Sequence, residues 1–305
     1  MNTQKLIHVL GLLLFLFGCE TEKQPLDSNN EIKHPYEPAP WYDSPTWSPD
    51  GEWIAYTFWK CFPESIYFVH PDGTENHAVT RGRNPDFSPD MTKLVLSIGE
   101  QIFVCDLKTG EILQLTFEAS NYFPRWSPDG KRIAYDSNYQ DPRGAQVIWL
   151  MDPDGGNKKN IGQYGREPDW FPDFRILHKR SIRSPSAEED LFIMDSTGTN
   201  AIRLTTNYSN RHAKVSFDGR KIIWQRWDVS QQEIAVWLMN ANGGDRVKLI
   251  VGGLGPDWSP DGSKIVFWKL GIYTPGEPWD DDDPKVHGSL WILDLSTMKQ
   301  HQLLP

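Results

Sequence analysis

Trp126-Ser127-Pro128-Asp129-Gly130-Lys131-Arg132-Ile133-Ala134-Tyr135 reads as the end of one strand, a tight turn and the start of the next, and it decides the fold because the chain repeats it. Pro presets φ at the second turn position, Ser and Asp oxygens bond nearby backbone N–H groups, and Gly tolerates the last position. β-branched and aromatic residues follow, as a strand requires. The motif is intact again at Trp47 and Trp258 and survives in altered form at Phe87, Trp170 and Val215. Successive anchors lie 40, 39, 44, 45 and 43 residues apart, which suits one four-stranded propeller blade per repeat. The expected fold is therefore all-β, a six-bladed β-propeller of four-stranded antiparallel blades over residues 41–305.

Each repeat continues in the same order. Runs such as Val147-Ile148-Trp149-Leu150-Met151 read as third strands, Asn240-Ala241-Asn242-Gly243-Gly244 as a turn, and Ala201-Ile202-Arg203-Leu204-Thr205 as a short outer strand. Blade 6 is expected to supply its own outer strand at 300–304, which leaves open whether the ring closes by packing alone or with a strand from 34–39. The Trp-Ser-Pro-Asp-Gly turn, the strand after it, Ile148-Trp149-Leu150-Met151-Asp152 and the Gly turn together resemble the repeat of TolB-like six-bladed propellers, over residues 44–305. That resemblance implies fold more strongly than function, since such propellers serve as docking platforms, enzyme bodies and peptidase gates.

The N-terminus carries Lys5, an apolar run over 6–17 and Leu16-Phe17-Gly18-Cys19. The run is shorter than the roughly 20 residues of a spanning helix and suits a signal peptide. Its end resembles a bacterial lipobox, which implies cleavage before Cys19 and acylation of that thiol. Residues 1–18 are then a lipoprotein signal peptide and 19–40 a polar, flexible tether, so the propeller is anchored to a membrane rather than spanning it. The expected location is the cell envelope, periplasm-facing or at the surface, on the outer membrane. A formal net charge of −10, from 31 basic and 41 acidic residues with no basic block, argues against nucleic acid. Cys61 and Cys105 fall too far apart in a propeller to bridge and are expected as free thiols.

Strand order puts the Ser-Pro-Asp-Gly turns on one face of the disc and the longer connections, at 58–65, 138–145, 178–189, 225–232 and 269–288, on the other. Long connections on a rigid scaffold commonly carry function. Most of the 14 Trp residues are assigned to strands or anchors, while Trp41, Trp59, Trp227 and Trp279 map to the long-loop face. There they are candidate platforms for sugar rings or anchors for a protein. Alignment on the anchors places Arg83, Arg166 and Arg211 four positions before them, and Glu167 and His212 three before. These five residues, with Trp59, Trp227 and Trp279, form the candidate ligand-binding set, the Arg forks suiting carboxylates. Directly before the anchors stand Thr46, Asp86, Arg125, Asp169, Lys214 and Asp257, whose signs alternate from the second blade to the sixth and predict a ring of ion pairs around the channel.

No nucleophile elbow, zinc-protease helix, Cys-x-x-Cys, phosphate loop or dinucleotide fingerprint occurs, so catalytic and metal residues are expected to be none and a prolyl-oligopeptidase-type enzyme is not expected. No cofactor is expected. Asp280 to Asp283 have oxygen chemistry suited to Ca²⁺ but no calcium-loop spacing, and read as a solvated acidic loop. The leading expectation is a monomeric binding scaffold for a protein or peptide. The alternative is an acidic-glycan binder or uronate lyase in which Arg83, Arg166, Arg211 and His212 handle the carboxylates and the proton; oligogalacturonate lyases use a related propeller with a His-rich manganese site, of which only His212 lies in the aligned channel register here, and that weakens the enzyme reading.

Overall fold

A computed structural model describes residues 41–59, 63–141, 144–181, 189–206, 209–228, 230–269 and 288–305. Cys19, Cys61, Trp279, the Asp280 to Asp283 cluster and the whole N-terminal segment to residue 40 lie outside the described residues. Residues 39–305 make one compact unit.

Six blades of four sequential strands account for every strand described. Blade 1 is β1 (Trp41–Trp47), β2 (Ile54–Trp59), β3 (Ser65–Val69) and β4 (His77–Arg81); blade 2 is β5 (Arg83–Phe87), β6 (Lys93–Ile98), β7 (Gln101–Asp106) and β8 (Ile112–Gln114). Blade 3 is β9 (Asn121–Trp126), β10 (Ile133–Ser137), β11 (Val147–Met151) and β12 (Lys159–Tyr164); blade 4 is β13 (Arg166–Trp170), β14 (Ile176–Ser181), β15 (Glu189–Met194) and β16 (Ile202–Arg203). Blade 5 is β17 (Ser209–Val215), β18 (Lys221–Asp228), β19 (Glu233–Asn240) and β20 (Val247–Val251); blade 6 is β21 (Gly253–Trp258), β22 (Lys264–Lys269), β23 (Ser289–Asp294) and β24 (Lys299–Leu304). The outer strand of blade 4 has only two residues, and the open edge of β15 is met by the start of β17 through a parallel bridge, Glu189 to Ser209.

The Ser-Pro-Asp-Gly turn works as its chemistry dictates. Ser48 Oγ donates to Asp50 Oδ1 at 2.6 Å and accepts the Trp53 N–H at 2.9 Å, and the Gly51 N–H donates to the Ser48 carbonyl at 2.9 Å. Equivalent bonds recur at Ser88, Ser127, Ser216 and Ser259. Where Gly is replaced the backbone shape is kept: Met91 and Phe174 sit at φ 61° and 68°, in the left-handed region.

Burial follows the seams between blades. Six apolar clusters form, each joining the residues of two adjacent blades, and the cluster between blades 6 and 1 (Val266, Leu290 and Ile292 against Trp47, Ile54 and Tyr56) is built like the others. Among the described residues the ring thus closes by packing, with no strand exchanged. The Trp47 N–H also donates to Asp257 Oδ2 across this seam at 3.0 Å.

That bond belongs to an alternating scheme. At the seams 2/3, 4/5 and 6/1 an Asp before the even-blade anchor accepts the N–H of the next anchor: Asp86 from Trp126, Asp169 from Val215, Asp257 from Trp47. At the seams 1/2, 3/4 and 5/6 a polar side chain of the second strand accepts an N–H from the next blade: Thr57 from Asn84, Asp136 from Glu167, Gln225 from Gly255. The propeller is a pseudo-threefold ring of blade pairs.

Expected loop boundaries are corrected: Phe58 and Trp59 lie in β2 and Lys269 in β22. His178 and Gln225 to Trp227 lie in β14 and β18, whose ladders run on through His178–Phe192 and Trp227–Ile234 pairs before the chain leaves the sheet.

Candidate functional site at the channel mouth

Innermost strands enter from the long-loop face, and each breaks its register with a bulge just inside that face. The residue three before the anchor takes a left-handed backbone in all six blades: Ser44 (φ 49°), Asn84 (53°), Phe123 (51°), Glu167 (52°), His212 (48°) and Gly255 (48°). Pro follows it in five blades, at Pro45, Pro85, Pro124, Pro168 and Pro256, which keeps the preceding residue out of the right-handed helical region. A bulge re-aims the side chain that follows it, here towards the axis. Five non-Gly residues in this conformation concentrate backbone strain at one place.

The mouth they form holds a cavity of about 20 Å³, room for about one water, lined by Ser44, Phe123, Glu167, His212 and Gly255 and floored by Arg125 and Lys214. Glu167 is its most constrained group. Its carboxylate accepts the His212 N–H at 2.7 Å and pairs with Lys179 Nζ at 2.7 Å. Burial pushes the Glu167 pKa up, but His212, Lys179 and these hydrogen bonds outweigh it and hold the group at about 2. Lys179, buried in β14, also reaches Glu189 at 3.3 Å, and Glu189 in turn accepts from Arg211 Nε at 3.0 Å. The chain Arg211–Glu189–Lys179–Glu167–His212 thus ties blade 5 to blade 4.

The three aligned arginines do not converge on the axial cavity. Each turns to a carboxylate on the preceding blade: Arg83 to Glu64 at 3.7 Å, Arg166 to Asp136 at 3.6 Å, Arg211 to Glu189 at 3.0 Å. The reason is electrostatic, because those carboxylates are more buried than the guanidinium groups and hold them at the seams. Of the residues singled out from sequence, the structure brings Glu167 and His212 together at the cavity and keeps Arg83, Arg166 and Arg211 around it. Trp59 ends β2 at this face, partly buried, and Trp227, in β18, is 38 % exposed there.

Beneath the mouth, the ring of charges forms on one side. Arg125 Nε lies 3.9 Å and Lys214 Nζ 3.7 Å from Asp169. Arg125 also donates to the Pro85 and Pro124 carbonyls, which hold its guanidinium among the residues that line the cavity. Burial raises the Asp86 pKa to about 6 even with Arg125 and Lys214 near it.

His178, where the 178–189 connection was expected to begin, is fully buried, and among the described residues neither ring nitrogen has a hydrogen-bond partner; burial lowers its pKa to about 3 and keeps it neutral. No three His, Cys, Asp or Glu side chains among the described residues are grouped to hold a metal. Cys105 is free and buried, and burial raises its thiol pKa to about 11. Sequence reading missed the Lys179–Glu189 pair and the left-handed ring; the repeated Pro two before the anchors was the available signal for the ring.

Six sequential four-stranded blades around a narrow, charge-lined channel define a six-bladed β-propeller. The chain matches the TolB beta propeller domain over residues 39–166 and 99–271 and belongs to that family. It is 26 % identical over 257 residues to the uncharacterized protein Atu1656 of Agrobacterium fabrum, covering 74 % of this chain and 84 % of that protein. Among solved structures, a putative TolB from Agrobacterium tumefaciens is similar at a TM-score of 0.63 and 21 % identity, covering 75 % of this chain and 84 % of that one. TolB from Acinetobacter baumannii is similar at 0.59 and 21 %, over 69 % of this chain and 54 % of that longer chain. At these identities the structures speak for the fold.

Proposed function

We propose that this protein is a lipid-anchored binding scaffold of the cell envelope, periplasm-facing or at the outer-membrane surface, that docks a protein or peptide partner on its long-loop face around the channel mouth. The observation that carries the reading is the shape and chemistry of that mouth. Its cavity admits about one water above a plug of ion pairs, so a ligand rests on the rim and can insert a side-chain tip at most. The rim offers what a polar-rimmed protein interface uses: an exposed Trp at 227, strained and therefore pre-shaped backbone, and half-exposed arginines already held in place. A uronate ligand would have to compete with Glu64, Asp136 and Glu189 for Arg83, Arg166 and Arg211. The anchoring part of the reading rests on the lipobox-like Leu16-Phe17-Gly18-Cys19.

The test is capture from detergent-solubilised envelope by the full tethered chain, compared with a Trp227→Ala, Trp279→Ala double variant. Loss of specific protein bands in the variant is expected, and an unchanged set of captured molecules overturns the docking face. Cys19→Ser should move the protein from the membrane to the soluble fraction; retention in the membrane overturns the anchor.

A further inference from the structure

At the three seams where a second-strand side chain reaches the next blade, the acceptor stands ten positions after its anchor: Thr57 after Trp47, Asp136 after Trp126 and Gln225 after Val215. Its role is the same in each, to accept the N–H of the left-handed residue, Asn84, Glu167 or Gly255. Blades 1 and 5 do this with a neutral oxygen. Blade 3 alone uses a group that gains and loses a proton, so its side chain carries a chemistry that the hydrogen bond does not require.

Asp136 is fully buried, and its Oδ1 has no hydrogen-bond partner among the described residues. Its Oδ2 accepts the Glu167 N–H at 3.4 Å and lies 3.6 Å from Arg166 Nε. Among the described residues that ion pair is the only polar contact of the Arg166 guanidinium, whose side chain is 45 % exposed. The other two rim arginines are held more firmly: Arg83 reaches Glu64, donates to the Gly99 carbonyl at 3.1 Å and lies over the Tyr122 ring, and Arg211 donates to Glu189 at 3.0 Å.

The groups facing Asp136 set its charge. On β13 these are Arg166 and Glu167, and on β14 Lys179 and the neutral His178. Opposite it within its own blade stand Tyr122 on β9 and Ile148 on β11, both uncharged. Burial raises the Asp136 pKa to about 7 against the pull of Arg166, and Glu167 adds to the rise. A buried carboxylate with one half-exposed counter-ion and an unspent oxygen is costly to keep ionised.

We propose that Asp136 is a proton-operated latch at the seam between blades 3 and 4: ionised, it holds Arg166 against blade 3, and protonated, it releases the guanidinium to the rim of the channel mouth while still accepting the Glu167 N–H. One proton is taken from solvent, and Arg166 is left with its positive charge unpaired. The latch stands on the seam alone. Its consequence, that an acidic group on a docked chain meets a free Arg166 only below neutral pH, rests on the docking reading above.

The experiment is brief labelling of the whole protein with the arginine reagent phenylglyoxal at pH 6, 7 and 8, with the Arg166 and Arg220 peptides read by mass spectrometry. Arg220 is the internal reference, because its side chain is 84 % exposed and its neighbour Asp218, with a lowered pKa, stays ionised throughout this range. With Asp136 about nine-tenths ionised at pH 8 and about one-tenth at pH 6, the ratio of Arg166 to Arg220 labelling should rise about twofold or more from pH 8 to pH 6. Asp136→Asn keeps an acceptor for the Glu167 N–H and should show the high ratio at every pH; Asp136→Thr, the side chain that blade 1 carries, replaces it if that variant does not fold. A ratio flat with pH in the wild type overturns the latch, as does a rise towards pH 6 that survives in the variant or a variant ratio fixed at the wild-type value for pH 8. No partner takes part in this measurement, so its failure leaves the docking reading standing.

Discussion

Lys179→Met tests whether the buried chain of charges at the seam between blades 4 and 5 holds the mouth together. Lys179 Nζ lies between Glu167 at 2.7 Å and Glu189 at 3.3 Å, all three buried. Its removal leaves two carboxylates facing each other with one partner apiece, His212 and Arg211. Breaking a buried pair costs about 3–5 kcal/mol, and the remaining partners place this case at the lower end, about 3 kcal/mol. For a propeller of this size that is a fall in Tm of roughly 6–12 °C at pH 7. The sign with pH follows from Glu167. Its folded pKa of about 2 is below the unfolded value of about 4.3, so its stabilisation is complete above roughly pH 5 and is lost as pH falls towards 2. Without Lys179 the carboxyl keeps the larger contribution of His212 but loses that of Lys179, so it protonates earlier, which relieves the repulsion. Thermal unfolding at pH 7, 5 and 4 should therefore show a gap between wild type and variant that shrinks with pH. Adding Glu167→Gln to the variant should restore part of the loss. A gap of the same size at pH 4 and pH 7, or one under 2 °C at pH 7, refutes the electrostatic account.

Asp86→Asn should raise Tm at pH 8 and leave it unchanged near pH 4: the folded pKa of about 6 lies above the unfolded value of about 3.9, so ionised Asp86 opposes folding above pH 6. A Tm gap independent of pH contradicts this. Phe174→Gly should stabilise by about 1 kcal/mol in chemical denaturation, since Phe174 is at φ 68° and already half exposed; a destabilised variant counts against turn strain. Gly198→Ala should abolish soluble expression or lower Tm by more than 6 °C, because a Cβ there would stand 1.7 Å from the Ile161 carbonyl oxygen of the neighbouring blade; wild-type Tm contradicts that close approach. In the native protein the Cys105 peptide should resist alkylation at pH 8 and react after unfolding, read by mass spectrometry, because the thiol is buried with its pKa at about 11.

The blades were legible because turn chemistry is local. Ser48 bonds Asp50 and Gly51 within a few residues while Pro49 fixes the turn, and the spacing of such turns states the repeat without any knowledge of neighbours. Register around the axis was legible for the same reason: counting back from the anchors placed Glu167 and His212 at the mouth, where they are. Counting could not say which way a long side chain turns. Arg83, Arg166 and Arg211 sit at the aligned position, and what captures each is a carboxylate 19 to 30 residues away on the preceding blade.

The order and number of the blades, the alternation of short and long connections between two faces, and the sign of each channel position were determined by the chain's own repeat. The pairing of blades into a threefold ring, the apolar packing and the Trp47–Asp257 bond that join blades 6 and 1, and the lean of Arg125 and Lys214 towards Asp169 were decided only when the ring formed. The physical reason is range. A turn satisfies its own hydrogen bonds within a few residues, whereas a buried charge takes whatever partner the folded surroundings place within about 4 Å, and those surroundings come from two other blades.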